Sequence, residues 1–111
     1  MTSATYGRFR QAILDEQQVV CLYKGRPREL CPHIIGHTAG AEKVLAYQFA
    51  GETSTALPPG GEWRCFYLAE FSDVRLRAGP WHAGRTHTTR QTCVEDIDLD
   101  INVHVRKLRK P

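Results

Sequence analysis

The chain has 111 residues and a mass of 12.6 kDa, which is enough material for one domain with one core. Hydrophobic residues make up 41% and charged residues 24% of the sequence, so the composition is that of a globular protein and excludes a wholly disordered one. No apolar run approaches the roughly 20 residues that cross a bilayer as a helix, and residues 1–10 lack the apolar stretch of a signal peptide. We therefore expect a soluble cytoplasmic protein that does not contact a membrane.

The basic residues are mostly arginine. The net charge is +3, and 11 of the 15 basic residues are arginine, whose planar fork of donors fits phosphate and carboxylate groups. An acidic run over residues 95–100 and a basic run over residues 106–110 cancel each other, so the positive excess is distributed through the rest of the chain. This distribution favours an anionic partner.

The four cysteines are Cys21, Cys31, Cys65 and Cys93, and no two of them form a CxxC pair. In a reducing compartment, scattered cysteines serve as small buried apolar side chains. We therefore expect free, buried thiols rather than disulfides.

The first predicted element is a short amphipathic helix over about residues 5–17. Its apolar face carries Tyr6, Phe9 and Ile13 at the spacing of a helical stripe, and Thr5 is the predicted N-cap. The sequence then changes to the pattern of β-strands, which we predict between about residues 18 and 105.

The first two predicted strands cover residues 19–23 and 28–38, with a turn at residues 24–27 between them. Pro32 lies inside the second strand, and proline cannot donate a hydrogen bond to a sheet ladder. We therefore predict that Pro32 occupies a bulge or a sheet edge.

The next three predicted strands lie around residues 45–49, 62–68 and 73–77. A loop over residues 51–61 follows the first of these, and an irregular connector over residues 78–92 follows the last. Alternation along residues 62–68 places two sets of side chains on opposite faces: Trp63, Cys65 and Tyr67 on one, and Arg64, Phe66 and Leu68 on the other.

The last predicted strand is the most regular. Apolar residues occupy every odd position from 97 to 105, with polar residues between them, which predicts a half-buried strand. One helix followed by five or six closely spaced strands favours a mainly β fold, a small and strongly bent sheet or barrel. We expect a single domain over residues 1–106, followed by a basic tail over residues 107–111.

No motif of an enzyme is present: the sequence lacks GxSxG, HExxH, a P-loop and GxGxxG. Asp98 and Asp100 share one face of the last predicted strand and could act as an acid–base pair or bind a metal. The same pattern is typical of the solvent-facing side of an antiparallel strand. We therefore expect no enzymatic activity and no cofactor.

Cys31, His33 and His37 are candidate zinc ligands, because alternate residues of a strand face the same side. They extend too far along a straight strand to reach one ion, and only a bend near Pro32 would bring them together. The alternative is that these side chains are polar groups with partners inside the protein.

Arginines and aromatic residues are interleaved on the predicted strands. The arginines on or beside strands are Arg26, Arg28, Arg64, Arg75 and Arg77, and the aromatic residues among them are Tyr23, Tyr47, Trp63, Phe66 and Tyr67. Arginine beside aromatic rings on a sheet can hold a phosphate backbone and stack bases. The same composition also occurs on plain sheets, where arginine stems cover apolar neighbours.

Short motifs on the predicted strands follow one another in an order that is typical of a known domain family. Tyr23 ends the first predicted strand, Arg28-Glu29-Leu30-Cys31-Pro32 begins the second, and Arg64, Phe66, Leu68 and Phe71 follow. Over about residues 18–77 this order resembles the WYL domain of bacterial regulators. The triplet that names the family stands here as Lys43-Val44-Leu45, and Ala69-Glu70 replaces an Asp-Arg pair. The residues before the first strand are too few for the family's usual N-terminal helix-turn-helix.

The resemblance implies a strongly bent, Sm/SH3-like β-barrel that acts as a sensor in transcription regulation. Such a module binds single-stranded nucleic acid, a nucleotide or another anionic ligand without catalysis. Arg28 and Arg64 match positions of the family's basic ligand-binding surface, and we predict that they clamp phosphate. Arg26 and His33 are the predicted supporting contacts.

Two features of the predicted site have alternatives. Because the family's Trp and Tyr are missing, Tyr47 or Trp63 would have to stack the base. Arg28 and Arg64 could instead form ion pairs, for example with Glu29 or Glu62. An alternative function is protein interaction, in which the last strand pairs with a second copy of the chain or with a separate DNA-binding protein.

Overall fold

The computed structural model describes residues 3–51, 61–82 and 91–101. In these segments the chain forms one N-terminal helix and a six-stranded antiparallel sheet, so the predicted mainly β fold is confirmed. The elements are α1 (Ala4–Asp15), β1 (Gln18–Tyr23), β2 (Arg26–Thr38), β3 (Ala41–Gly51), β4 (Glu62–Tyr67), a 3-10 helix (Leu68–Glu70), β5 (Phe71–Arg77) and β6 (Asp96–Asp100). Most of the predicted loop and connector, the end of the last strand and the basic tail lie outside the described residues.

Helix α1 packs its predicted apolar face against the sheet. Tyr6, Phe9 and Ile13 are buried. Neither this helix nor any other in the described residues is long and apolar enough to cross a membrane. The predicted N-cap, Thr5, is wrong. Ser3 caps the helix instead, because its hydroxyl accepts a hydrogen bond from the backbone N–H of Tyr6 at 3.1 Å.

Strand β2 is the centre of the sheet, whose order is β4-β3-β2-β1-β5. Its first residues pair with β1 up to Leu30, and its last residues pair with β6 from Ile34 onwards. Pro32 lies between these two stretches, where the register between β2 and β3 shifts by one residue. The predicted bulge at Pro32 is thus confirmed. Pro32, which has no N–H to donate, lies at the point where β2 exchanges its neighbour β1 for β6.

The two faces of the sheet differ in what they pack against. The face that contacts α1, here called the core face, carries a cluster of rings in which Phe9 lies 4.7 Å from Phe71 and Tyr23 lies 4.7 Å from Phe66, measured between ring centroids. The other face, here called the outer face, carries a smaller cluster of Ile34, Leu45, Cys93, Val94 and the partly buried Trp63. Residues adjacent on a strand therefore belong to different environments.

The connection from β4 to β5 bends the sheet back on itself. It joins the two strands at the ends of the main strand order through the 3-10 helix. At this point the backbone N–H of Lys24 donates to the carbonyl of Glu70 at 3.1 Å, and the N–H of Tyr67 donates to the hydroxyl of Tyr23 at 3.2 Å. The turn between β1 and β2 is thereby held against the end of β4, which gives the small barrel-like form.

The expectation of free thiols is wrong for two of the four cysteines. Cys65 and Cys93 form a disulfide with 5.5 Å between their Cα atoms, whereas Cys21 and Cys31 are free and buried as expected. Cys65 on β4 lies opposite Leu45 on β3, and Cys93 packs against the same leucine. The fold thus brings together two cysteines that the sequence separates by 28 residues.

Strand β6 departs from the predicted half-buried alternation. Ile97 is 48% exposed, whereas Leu99 is partly buried against the main core. The reason is a register shift: Ile97 pairs with Gly36 and Leu99 with Ile35, which leaves Asp98 as an extra residue. Because Gly36 and Ile35 are adjacent on β2, the shift turns Ile97 away from the core.

Candidate functional site

A cationic cleft of about 550 Å³ opens between the turn that follows β1 and the strand β4. It is lined by Tyr23, Lys24, Arg26, Arg28, Arg64, Cys65, Phe66 and Tyr67. Four of these residues are cationic and none is acidic. The cleft brings together three of the predicted ligand-binding residues, Arg26, Arg28 and Arg64.

The strand register explains why the three arginines share one cleft. Lys24 and Gly25 form a two-residue turn with φ values of 51° and 79°, the left-handed geometry that a tight hairpin needs. This turn pairs Tyr23 with Arg26, so Arg28 follows two residues later on the same face of β2. Arg64 faces the same side from β4, two residues before the buried Phe66.

Arg28 is the most deeply buried cation of the cleft, with 6% of its surface exposed. Its Nη1 donates to Gln48 Oε1 at 3.0 Å, and the fully buried Gln48 donates in turn to the carbonyl of Ala50 at 3.2 Å. The guanidinium carbon lies 5.4 Å from the ring centroid of Tyr23 and 5.9 Å from that of Phe66. These contacts hold Arg28 in one orientation.

No carboxylate in the described segments lies within 4 Å of the Arg28 guanidinium, and its buried Nε has no hydrogen-bond partner there. Burial lowers the pKa of Arg28, and the charges of Arg64 and Arg26 lower it further. Arginine nevertheless stays protonated. Burial also raises the pKa of the neighbouring Cys21 thiol to about 12, so Cys21 supplies no counter-charge.

Arg64 has a carboxylate partner. Its Nη2 forms an ion pair with Glu62, and its buried Nε has no partner among the described residues. The ion-pair alternative considered from the sequence therefore holds for Arg64 and Glu62. It does not hold for Arg28 and Glu29, because Glu29 pairs with Arg77 at 2.6 Å.

The other three predicted ligand residues, His33, Tyr47 and Trp63, lie together on the outer face. The ring of Trp63 is 4.6 Å from that of His33 and 5.3 Å from that of Tyr47, measured between centroids. His33 is buried, with its Nδ1 2.7 Å from the carbonyl oxygen of Cys31. Because Trp63 directly precedes Arg64 on β4, the two side chains face opposite sides of the sheet. Neither Trp63 nor Tyr47 lines the cleft.

The rings at the cleft are those of Tyr23, Phe66 and Tyr67, and not those of the predicted stacking residues Tyr47 and Trp63. Tyr23 is 7% and Phe66 2% exposed, so they form a wall beneath Arg28 rather than an open stacking surface. Tyr67 is 50% exposed, with Lys43 Nζ 4.5 Å from its ring centroid. The two-residue turn, which places Tyr23 directly opposite Arg26, is the signal that favours Tyr23 over the other aromatic residues of the strands.

The candidate zinc ligands do not converge. The bulge at Pro32 reverses the alternation of β2, so His37 lies on the core side, where its ring centroid is 5.6 Å from that of Tyr6. Its Nδ1 is 3.2 Å from Asp98 Oδ2, and Asp98 also accepts a hydrogen bond from the Tyr6 hydroxyl. The described residues contain no group of three histidines, cysteines or acids placed to hold a metal ion.

Cys31, the remaining zinc candidate, has a partner within the fold. Its Sγ accepts a hydrogen bond from the backbone N–H of His82 at 3.3 Å. Burial raises the pKa of the Cys31 thiol, which disfavours the thiolate that binds metals. Cys31 therefore has the character of a buried structural side chain.

In comparisons with known proteins, no family model, no curated protein and no solved structure matches this chain. The resemblance to the WYL domain accordingly stays a prediction from the residues quoted above.

Proposed function

We propose that this protein is a non-enzymatic sensing module that binds phosphate groups in its cationic cleft, those of single-stranded nucleic acid or of a nucleotide. The observation that carries the proposal is Arg28. A buried cation ordinarily has a carboxylate partner, because an unpaired buried charge is costly. Arg28 has none within 4 Å in the described segments, and it borders an open cleft of about 550 Å³. An anionic ligand would supply the missing charge.

The contacts of Arg28 also support specific recognition of an anion. Gln48 and the ring of Tyr23 fix the guanidinium before any ligand arrives, so little side-chain entropy is lost on binding. Burial lowers the pKa of Arg28, and the positive charges of Arg64 and Arg26 lower it further, so a phosphate between the three cations would relieve their mutual repulsion. Two arginines can each donate a pair of hydrogen bonds to phosphate oxygens.

Arg28 and Arg64 stand at the positions where the sequence resembles the basic ligand-binding surface of WYL domains. That match supports a regulatory role, in which occupancy of the cleft is passed on to a partner. The burial of Tyr23 and Phe66 favours recognition of the phosphate rather than of a stacked base. We therefore expect weak discrimination between base sequences.

The proposal is tested by fluorescence anisotropy with short labelled single-stranded DNA and RNA at two salt concentrations. Arg64→Gln should weaken binding for every base sequence alike, and the affinity of the wild type should fall as salt rises. Arg75→Gln is the matched control, because it removes one positive charge from a side chain that is 67% exposed and outside the cleft. Displacement of the label by a free nucleotide would identify the smaller ligand.

Two outcomes contradict the proposal. If neither oligonucleotide nor nucleotide binds at low salt, the cleft is not a phosphate site. If Arg64→Gln and Arg75→Gln weaken binding equally, the attraction is due to net charge and not to the cleft.

The exposed Ile97 favours protein interaction as a second candidate function. This residue lies on β6, which pairs only with β2 among the described strands. A second copy of the chain or a DNA-binding protein could add a strand at that edge. Light scattering at tens of micromolar protein tests the homodimer, and a monomer at that concentration would contradict it.

A further inference from the structure

The ion pair between Glu62 and Arg64 lies beside the cationic cleft. The two residues are two positions apart on β4, so their side chains leave the strand on the same side. Both are partly exposed, with 34% of the Glu62 side chain and 23% of the Arg64 side chain accessible. Glu62 itself does not line the cleft. The pair can therefore open by rotation of two side chains, without movement of the backbone.

Glu62 satisfies Arg64 only in part. The carboxylate contacts Nη2, whereas the buried Nε has no hydrogen-bond partner in the described part of the chain. Carboxylates and phosphates can both bond two nitrogens of a guanidinium at once, but Glu62 contacts only Nη2 here, and a phosphate carries more acceptor oxygens and more charge. Partly exposed ion pairs are also weak. A phosphate ligand can thus replace Glu62 at Arg64.

Arg28 differs from Arg64 in this respect. Its hydrogen-bond partner is Gln48, a neutral and fully buried amide on β3, which does not compete with an anion. In the described part of the chain, the cleft thus combines an arginine without a carboxylate partner and an arginine that is held by a carboxylate of its own strand.

We infer that Glu62 is a built-in competitor for the anionic ligand, occupying Arg64 in the empty cleft and being displaced when phosphate binds. This inference rests on the proposed function. Glu62 is then a determinant of affinity, because the ligand must bind Arg64 more strongly than a single carboxylate does. Monocarboxylates and chloride would then be poor ligands, and groups with several phosphate charges would be good ones.

Calorimetric titration with inorganic pyrophosphate tests this role. Glu62→Gln keeps the shape of the side chain but removes the competing charge, and it should bind pyrophosphate about two- to fivefold more tightly than the wild type, the range that corresponds to a weak ion pair. Glu29→Gln is the matched control. It makes the same change in net charge, but Glu29 pairs with Arg77 outside the cleft, so its affinity should equal that of the wild type.

The other possible results of the titration overturn either the competitor role or the proposed function. Unchanged affinity in Glu62→Gln, or an equal gain in both variants, overturns the competitor role while pyrophosphate binding by the wild type upholds the proposed function. Weaker binding by Glu62→Gln would mean that Glu62 positions Arg64 for the ligand, which also overturns it. If neither the wild type nor Glu62→Gln binds pyrophosphate, the proposed function itself fails at this cleft.

Discussion

Reduction of the disulfide between Cys65 and Cys93 should destabilise the protein strongly. The crosslink closes a loop with a sequence separation of 28. The chain-entropy relation for such a loop gives about 3.6 kcal/mol at room temperature, because the crosslink restricts the unfolded chain. Domains of this size unfold with only about 5–15 kcal/mol, so the loss is a large fraction of the total.

Urea denaturation with and without reductant measures this difference, with fluorescence of the tryptophans as the signal. The variant in which both Cys65 and Cys93 are replaced by alanine is the control, and reductant should leave its unfolding midpoint unchanged. Alkylation in denaturant without reductant should label two thiols per chain, those of Cys21 and Cys31. Four labelled thiols, or equal free energies of unfolding in the two conditions, would refute the reasoning.

Two further predictions concern the groups around Arg28. Gln48→Leu should lower the free energy of unfolding by about 1.5–3 kcal/mol, since it removes the hydrogen-bond acceptor of a buried charge, and it should also weaken anion binding. Urea denaturation measures the first effect and the anisotropy titration measures the second. Unchanged affinity would contradict the orienting role of Gln48. The pKa of the Cys21 thiol is raised from 9.0 to about 12 in the folded protein. Between these two pH values only the unfolded chain releases the thiol proton. The stability that the protonated thiol contributes is therefore fully present below pH 9 and is lost as the pH rises towards 12. Urea denaturation at a series of alkaline pH values should show a steeper loss for the wild type than for Cys21→Ala, and parallel curves would contradict it.

The sequence predicts the local features of this fold well. The apolar stripe of α1 follows from periodicity, and the strands β1 to β5 follow from residue type, alternation and turn residues. Pro32 correctly predicts a bulge, because its missing N–H cannot join the ladder. The consequences of that bulge are harder to predict. One extra residue reverses the alternation of β2, which moves His37 to the core side and removes it from Cys31 and His33.

The candidate site is predictable only in part, for the same reason. The arginines are identifiable by residue type, and the two-residue turn is identifiable by its glycine. Which aromatic ring meets which arginine depends on the registers of three strands. Tyr23 reaches Arg28 across β1 and β2, whereas Trp63, which directly precedes Arg64 on β4, does not line the cleft. The disulfide likewise depends on the path of residues 91–95 over the outer face.

Among the described residues, Arg28 has no ion pair, and the alternation of side chains along β2 explains why Glu29 does not provide one. Its neighbour along the chain, Glu29, cannot neutralise it, because adjacent residues of a strand face opposite sides, and Glu29 is engaged by Arg77. A sheet selected for stability alone would place an apolar residue or a paired charge at position 28. Sites where a sequence departs from such local rules without compensation are most often functional. Within the described segments, Arg28 is thus a buried cation without a carboxylate partner beside a cleft lined by three further cations, and this is the observation on which the proposed phosphate site rests.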